Sequence, residues 1–191
     1  DYTSGTSTGV VYHPGLDKIF AVDLSGGMFR MDNDGSNVTT LLDINSGTNA
    51  LAVVPAGFGA YGGQIAMCGV DIRIYNPATN TAVVLTTAPT QASDCVFNPD
   101  GSLLYTADFS LNGVYQVTSA GVHTVLAAGI NNANGIVFDT AKNRLLVFEG
   151  ATTADVTAVA LPGGAKTVTA SGQNTGPGYG VTGMALDCAG N

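Results

Sequence analysis

The sequence has few of the residues that build long helices or highly charged surfaces. It contains no Trp, one Glu, three Lys and three Arg among 191 residues, and charged residues make up 10% of the chain, against about 25% in an average soluble domain. Because Lys and Glu are among the better helix formers, their scarcity predicts little helix. No apolar run approaches the roughly 18 residues of a membrane-spanning helix, so we expect no membrane insertion.

The few charges are mostly of one sign. Thirteen Asp and the single Glu give a net charge of −8. Such a surface repels a phosphate backbone, so nucleic acid is not an expected partner, whereas divalent cations are attracted to it. A hydrophobic content of 45% is enough to bury a core, so the low charge does not indicate disorder.

Histidine and cysteine are also scarce, which argues against several kinds of catalytic and metal site. Two His and three Cys, without CxxC or HxxxH spacing, do not predict a zinc site. Residues 57–62 match GxGxxG, but an alternating strand pattern follows instead of a helix, so a glycine-rich turn is the better interpretation. The GxSxG match at 5–9 precedes a strand and lies in a Ser/Thr/Gly-rich segment, so we expect no serine nucleophile there.

What the sequence has in abundance is short apolar runs separated by turn residues. HPGLDKIF, NPDGSLLY and DTAKNRLL each follow a four-residue apolar strand, respectively VVYH, CVFN and IVFD. A looser copy begins at Leu51 and a last start at Gly183. The equivalent positions are spaced by 41, 44, 41 and 48 residues and are His13, Val54, Asn98, Asp139 and Asp187. A period in the forties with four short strands is typical of propeller blades.

The repeats predict an all-β fold, a four-bladed β-propeller with four-stranded antiparallel blades. We expect one domain over 1–191, with strands A to D in each blade. The predicted repeats are about 10–49, 50–92, 93–133 and 134–180. The predicted strands are 10–13, 18–22, 27–31 and 37–42, then 51–54, 63–68, 70–75 and 80–86, then 94–97, 103–107, 112–117 and 121–127, and finally 135–138, 144–148, 154–160 and 164–169. Turn residues such as SGG, DNDGS and LPGG separate them.

Several of these stretches resemble known propeller repeats. KIFAVDLSGGMFRMDNDGSNVTTLL is similar to a YWTD-type repeat, and FNPDGSLLYTADFSLNGVYQV and NANGIVFDTAKNRLLVF resemble blades of the NHL and gluconolactonase type. The likeness covers nearly the whole chain and implies architecture more than activity. Those families usually carry six or seven blades, whereas four complete repeats are found here.

A fifth strand A, at 182–187, is left over at the carboxyl end of the sequence. It could replace the first strand A and free the N-terminal segment, or insert into a neighbouring molecule by strand addition. It could also continue into a longer chain, and an exchange confined to one monomer needs no partner. We favour the first two interpretations, because an unpaired strand is suited to self-assembly into a filament or oligomer.

Acidic residues recur at the ends of the B strands. Asp23, Asp108 and Glu149 occupy equivalent positions, and the ends of B strands share a face with the starts of A strands. Asn49, Asp94 and Asn134 lie at those starts. Carboxylates and amides gathered there could bind Ca²⁺, and the candidate metal ligands are Asp23, Asp94, Asp108 and Glu149. Alternatively, each B-strand acid caps its own B–C turn, as the matching Asp of YWTD repeats does.

The three cysteines suggest one bond and one free thiol. Cys68 ends the second strand B and Cys95 begins the third strand A, so both should lie on one face of adjacent blades. A Cys68–Cys95 disulfide is plausible in an extracellular protein. Cys188 then remains for an intermolecular bond or as a free thiol. The alternative for all three is a buried free thiol.

These features favour an extracellular, secreted structural or interaction module that assembles with copies of itself, with Ca²⁺ as an optional aid. Gly/Thr/Asn-rich, Lys-poor chains are commonly secreted, and no catalytic set of residues stands out. The alternative, implied by the resemblance, is a metal-dependent lactonase or esterase of the gluconolactonase type. Asp108 then matches the acid after LLYTA and Asn134 the asparagine of NGI, both as metal ligands. The family's early glutamate has no match. A third interpretation is a ligand-binding propeller.

Overall fold

The computed structural model describes residues 7–23, 26–43, 47–88, 91–150, 153–174 and 184–186. They form sixteen strands in four separate antiparallel sheets, and within each sheet the strands follow one another in chain order. Each sheet is one blade, and its four strands are called A to D. No helix of the described residues is long and apolar enough to cross a membrane. This is the predicted all-β, four-bladed propeller architecture.

The observed strands lie within a few residues of the predicted ones. Blade one contains β1 (Ser7–His13), β2 (Lys18–Asp23), β3 (Gly27–Asp32) and β4 (Thr39–Asp43). Blade two contains β5 (Thr48–Val53), β6 (Ile65–Gly69), β7 (Ile72–Asn76) and β8 (Thr81–Thr86). Blade three contains β9 (Ala92–Phe97), β10 (Leu103–Asp108), β11 (Gly113–Thr118) and β12 (His123–Ala128). Blade four contains β13 (Ala133–Asp139), β14 (Arg144–Glu149), β15 (Thr153–Ala160) and β16 (Lys166–Asn174).

The turns use residues that tolerate a left-handed backbone. Strand B of blades one and four follows directly on Asp17 (φ 52°) and Asn143 (φ 46°), and in blade three Gly101 (φ 75°) lies in the same turn. Asn, Asp and Gly are the residue types that adopt this conformation at least cost. The alternation of apolar runs and such residues is therefore what folds each repeat into a meander.

The glycine-rich stretch after β5 forms a turn with a three-residue 3₁₀ segment at Gly59–Tyr61. A Cβ atom on Gly57 would lie 2.2 Å from the carbonyl oxygen of Asp100, in the neighbouring blade. Glycine is therefore required there by the close approach of two A–B turns. The GxGxxG pattern has a packing role, as the turn interpretation predicts.

The core is formed between blades. Phe20, Val22 and Met28 of blade one pack on Leu51 and other buried residues of blade two. Similar layers of buried side chains lie between blades two and three and between blades three and four. Each inner blade therefore buries both of its faces, while the D strands at the outside are largely exposed.

The four blades form an arc around a common axis. Strand β1 packs along β5, β5 along β9, and β9 along β13, so the A strands line the axis. In the described part of the chain, β13 does not pack along β1 as the other neighbouring A strands pack along each other. Blades one and four are therefore the two ends of the arc. Of the predicted extra strand at 182–187, only 184–186 are described, without strand structure, and the rest lies outside the described residues.

Candidate functional site

The starts of the four A strands carry the same β-bulge. In each A–B pair one extra residue of strand A is inserted near its start, and these residues are Thr8, Asn49, Ser93 and Asn134. A bulge re-aims the side chain of the inserted residue and is common near binding sites. The repeat thus places one polar side chain of each blade near the axis, on the face formed by the ends of the B strands and the starts of the A and C strands. We call this the B–C face.

Polar side chains at these starts connect successive blades. The Thr8 hydroxyl donates to the Thr48 carbonyl at 2.6 Å, and the Asn49 amide Nδ2 donates to the Ala92 carbonyl at 3.0 Å. Between blades three and four, Asp94 takes over this role, because its Oδ2 accepts the backbone N–H of Ile136 at 3.0 Å. The Asn134 side chain has no hydrogen bond to any part of the described chain.

Asp94 is not the bulged residue but the residue after it. Its equivalents in the other blades are small: Gly9, Ala50 and Gly135. The Oδ1 of Asp94 also accepts the Cys95 N–H at 2.8 Å. Burial raises the pKa of Asp94 from 3.8 to about 6, although both hydrogen bonds act to lower it.

A cavity of about 220 Å³ opens beside this carboxylate. It lies between the starts of β1 and β5, and Thr8, Asn49 and Asp94 supply its polar groups, while Val10 and Leu51 supply apolar walls. A group with a pKa near 6 can gain or lose a proton near neutral pH, as acid–base chemistry requires. The arrangement can therefore hold a small polar ligand against a titratable carboxylate.

The predicted acids at the ends of the B strands cap turns. Asp23 Oδ1 accepts the Gly27 N–H at 2.9 Å. Asp108 is fully buried, and its two oxygens accept the N–H groups of Leu111 at 2.7 Å and Gln91 at 3.3 Å. These contacts agree with the alternative given in the sequence analysis, in which each acid at the end of a B strand caps its own B–C turn.

Glu149 in blade four is also engaged, but by the segment before strand A and by strand C. Its Oε2 accepts the Asn131 N–H at 3.0 Å, and its Oε1 accepts the Thr157 hydroxyl. The structure thus distributes Asp23, Asp94, Asp108 and Glu149 over three blades. Among the residues described, no three His, Cys, Asp or Glu side chains converge as metal ligands do. The Ca²⁺ site therefore stays a prediction, and Asp108 is fully buried.

Cys68 and Cys95 lie in one buried layer between blades two and three, where the sequence places them. Both are free thiols. The interaction with Cys68, followed by burial and by the charge of Asp94, raises the pKa of the Cys95 thiol. The bond between the two sulfurs stays a prediction, and Cys188 lies outside the described residues.

No protein-family profile matches this sequence, and no curated protein matches it. Several solved structures have a similar fold. A gluconolactonase from Xanthomonas campestris superposes with a TM-score of 0.73 at 20% identity, covering 97% of this chain and 68% of that one. A structure provisionally described as a gluconolactonase gives 0.73 at 16%, covering 96% and 69%.

A nidogen/laminin complex gives a TM-score of 0.70 at 17% identity, covering 89% of this chain and 66% of the matched one. At such identities the likeness shows the fold alone, which is the β-propeller fold. The chain spans about two thirds of the length of these proteins. The resemblance to gluconolactonase and YWTD-type propellers is thereby confirmed at the level of architecture.

Proposed function

We propose that this chain is an interaction module of the β-propeller class that assembles with copies of itself through the two ends of its arc. One observation carries the proposal. Val10 of β1 is 67% exposed, whereas the equivalent Leu51 and Ile136 are only 8% and 3% exposed. In the later blades this position packs against the preceding blade. Blade one therefore presents an apolar face of the kind that the other blades bury.

The rest of that face has the same character. Tyr12 is 49% exposed, and Ile19 is only partly buried although its equivalents Ile65 and Leu104 are completely buried. A sheet face of this composition is unusual on the surface of a soluble protein and typically marks an interaction site. Burying it in a partner would add to stability at about 25 cal/mol per Å² of apolar area.

The partner surface in this proposal is the outer face of blade four in a second copy. This face is only partly exposed, because Leu146 is half-buried and Phe148 on the same face is 6% exposed. Successive side chains of a strand point to opposite faces of the sheet. Leu145 and Val147 pack on blade three, so Leu146 lies on the other face of blade four. In blade three the equivalent Tyr105 packs against the following blade. The side chain of Asn134, which is equivalent to Thr8 and Asn49, makes no hydrogen bond within the described residues and is a candidate donor to the neighbouring copy. A head-to-tail contact would repeat the contact between neighbouring blades and generates rings or filaments.

The test is sedimentation velocity over a range of protein concentrations. We expect the protein to self-associate and Val10→Asp to abolish association, because a carboxylate cannot be buried in an apolar contact without a large cost. Val84→Asp is the matched control, since Val84 is 50% exposed on β8, away from both ends of the arc. A protein that stays monomeric at every concentration contradicts the proposal, and so does equal sensitivity to both substitutions.

Location outside the cell belongs to the same proposal and is supported by the Lys-poor, Gly-rich composition. An aid from Ca²⁺ to this assembly stays a prediction, and the acids predicted to bind the ion accept hydrogen bonds from the protein itself.

A second candidate function is small-ligand binding or hydrolysis at the B–C face. It is favoured by the cavity of about 220 Å³ beside Asp94, whose pKa is about 6. If this site hydrolyses lactones or related esters, Asp94→Asn should abolish turnover while leaving the fold intact. Asp155→Asn, a change of the same kind in blade four, should leave turnover unchanged. Absence of turnover by the wild-type protein over a broad panel of lactones and esters would exclude the hydrolase.

A further inference from the structure

A second cavity, of about 400 Å³, lies on the opposite face of the arc, between the A–B turn of blade one and the turns of blade two. Lys18 begins β2 and Arg30 lies on β3, while Gln64 precedes β6 and Asn76 ends β7. All four line the cavity. Its volume lies within the roughly 300–1,000 Å³ of small-molecule sites. It is separate from the cavity beside Asp94, because its lining comes from the other ends of the strands.

The cavity gathers two of the six basic residues of a chain whose net charge is −8. Arg30 is half-buried, and its guanidinium makes no hydrogen bond or ion pair with any described residue. The oxygens of Asp32, on the same strand, accept hydrogen bonds from Lys18 at 2.5 Å and Asn37 at 2.7 Å. Among the described residues, the buried polar side-chain atoms that lack a partner belong to Thr106 and His123 and not to Arg30. The Arg30 donors are therefore accessible to solvent and to an acceptor that enters the cavity.

The other two arginines show how unusual this is. Arg73 and Arg144 pair with Asp71 and Asp139 at 2.8 Å. Every arginine of the described chain other than Arg30 thus has a carboxylate partner.

The other polar groups of the cavity also offer donors. The Asn76 Oδ1 accepts the Ala78 N–H at 2.9 Å, so its amide NH₂ is the end left for a ligand. The Gln64 side chain makes no hydrogen bond to any described residue. No carboxylate is among the lining residues described, and Leu16 and Pro77 supply apolar wall. The site is therefore rich in donors, lacks negative charge and is partly apolar.

We infer that this cavity binds a small organic anion through a carboxylate or phosphate group. The Arg30 guanidinium provides a planar pair of donors that matches two oxygens of such a group. Lys18 is paired with Asp32, so Arg30 is the main source of positive charge, and the amides of Gln64 and Asn76 bind the remaining oxygens. Leu16 and Pro77 contact the carbon skeleton. Because the protein as a whole repels anions, binding should weaken if the local positive charge is removed.

The experiment is a calorimetric titration of the intact protein with succinate and, separately, with inorganic phosphate. We expect saturable binding of at least one probe, and the probe that binds identifies the preferred group. Arg30→Gln should weaken it at least tenfold. Arg73→Gln, which removes an arginine already paired with Asp71, should change it less than twofold. Loss of binding in both variants to the same extent, or no saturable binding by the wild-type protein, overturns the inference.

A second pair of variants does not depend on replacing a half-buried arginine. Gln64→Glu places a carboxylate in the cavity and should abolish binding by repulsion. Gln116→Glu adds the same charge on blade three and should have little effect. If Gln64→Glu binds the probe as well as the wild-type protein does, the anion does not occupy this cavity.

Discussion

Asp94 gives the sharpest quantitative prediction, because it is both an inter-blade hydrogen-bond acceptor and a carboxylate with a raised pKa. Between pH 3.8 and about 6 the folded protein holds a proton on Asp94 that the unfolded chain has released. Stability must therefore fall as pH rises through this window. A rise from 3.8 to about 6 corresponds to about 3 kcal/mol, and we expect about 2–3 kcal/mol because solvent screens a carboxylate that is only half-buried.

The perturbation is Asp94→Asn, measured by urea denaturation at pH 4, 5, 6 and 7.5. The amide removes the titration and, like the protonated acid, offers one carbonyl oxygen to the two N–H groups of Cys95 and Ile136. The wild-type protein and the variant should therefore have similar stability at pH 4. At pH 7.5 the stability of the wild-type protein relative to the variant should be lower by about 2–3 kcal/mol.

Taking the difference between the two proteins cancels the other acids. Asp100 is the control, because hydrogen bonds from Ser102 lower its pKa. A lowered pKa adds stability above the unfolded value of 3.8 and loses it only as pH falls further. The advantage of the wild-type protein over Asp100→Asn should thus not decrease between pH 4 and 7.5. If the difference for Asp94→Asn is equally flat, the carboxylate is not buried as described.

Two further predictions concern the packing between blades. Gly57→Ala should lower the free energy of unfolding by about 1–3 kcal/mol, since its Cβ meets the Asp100 carbonyl, whereas Gly163→Ala, with no atom within 4 Å, should be nearly neutral in the same urea denaturation. Protein folded in an oxidising compartment should yield a Cys68–Cys95 peptide by mass spectrometry, and reducing that bond should cost about 3–4 kcal/mol of stability. Recovery of both residues as free thiols after such folding would contradict the second prediction.

The fold was predictable because its signal is local and repeated. Runs such as IFAVD, LLYTAD and LLVFE alternate between two faces and are bounded by Gly, Asn and Asp, so strand and turn are encoded within a few residues of each other. The A strands start two or three residues earlier than predicted in all four blades, because their polar first residues pair with strand B through a bulge. The largest difference is at the end of β16, which extends to Asn174 instead of residue 169.

The sites were less predictable because they depend on which blade a face meets. Asp108 and Asp94 look alike in the sequence, yet the first is a buried turn cap and the second accepts a hydrogen bond from the next blade. The hint was available at Asp94, since its equivalents in the other blades are Gly or Ala. Arg30 gave no such hint, because the Gln64 and Asn76 that line its cavity come from another repeat.

The exposed apolar face of blade one could not be predicted from the sequence for the same reason. Val10 and Leu51 are both apolar residues of a strand A, and nothing in their own segments tells them apart. Only the arrangement of the blades shows that Leu51 has a preceding blade to pack against, whereas Val10 lies at the end of the described arc. The tendency to assemble is therefore a property of the arc as a whole.

The most direct test of assembly is a cross-link between the two ends of the arc. Val10→Cys and Leu146→Cys would be placed in separate proteins whose three native cysteines are alanine, and each would be oxidised alone and in a mixture. The head-to-tail contact predicts disulfide-linked dimers in the mixture and few in either protein alone. Dimers formed equally well by Val10→Cys alone would show a face-to-face contact between two copies of blade one. No cross-linking in any sample would contradict self-assembly through these surfaces.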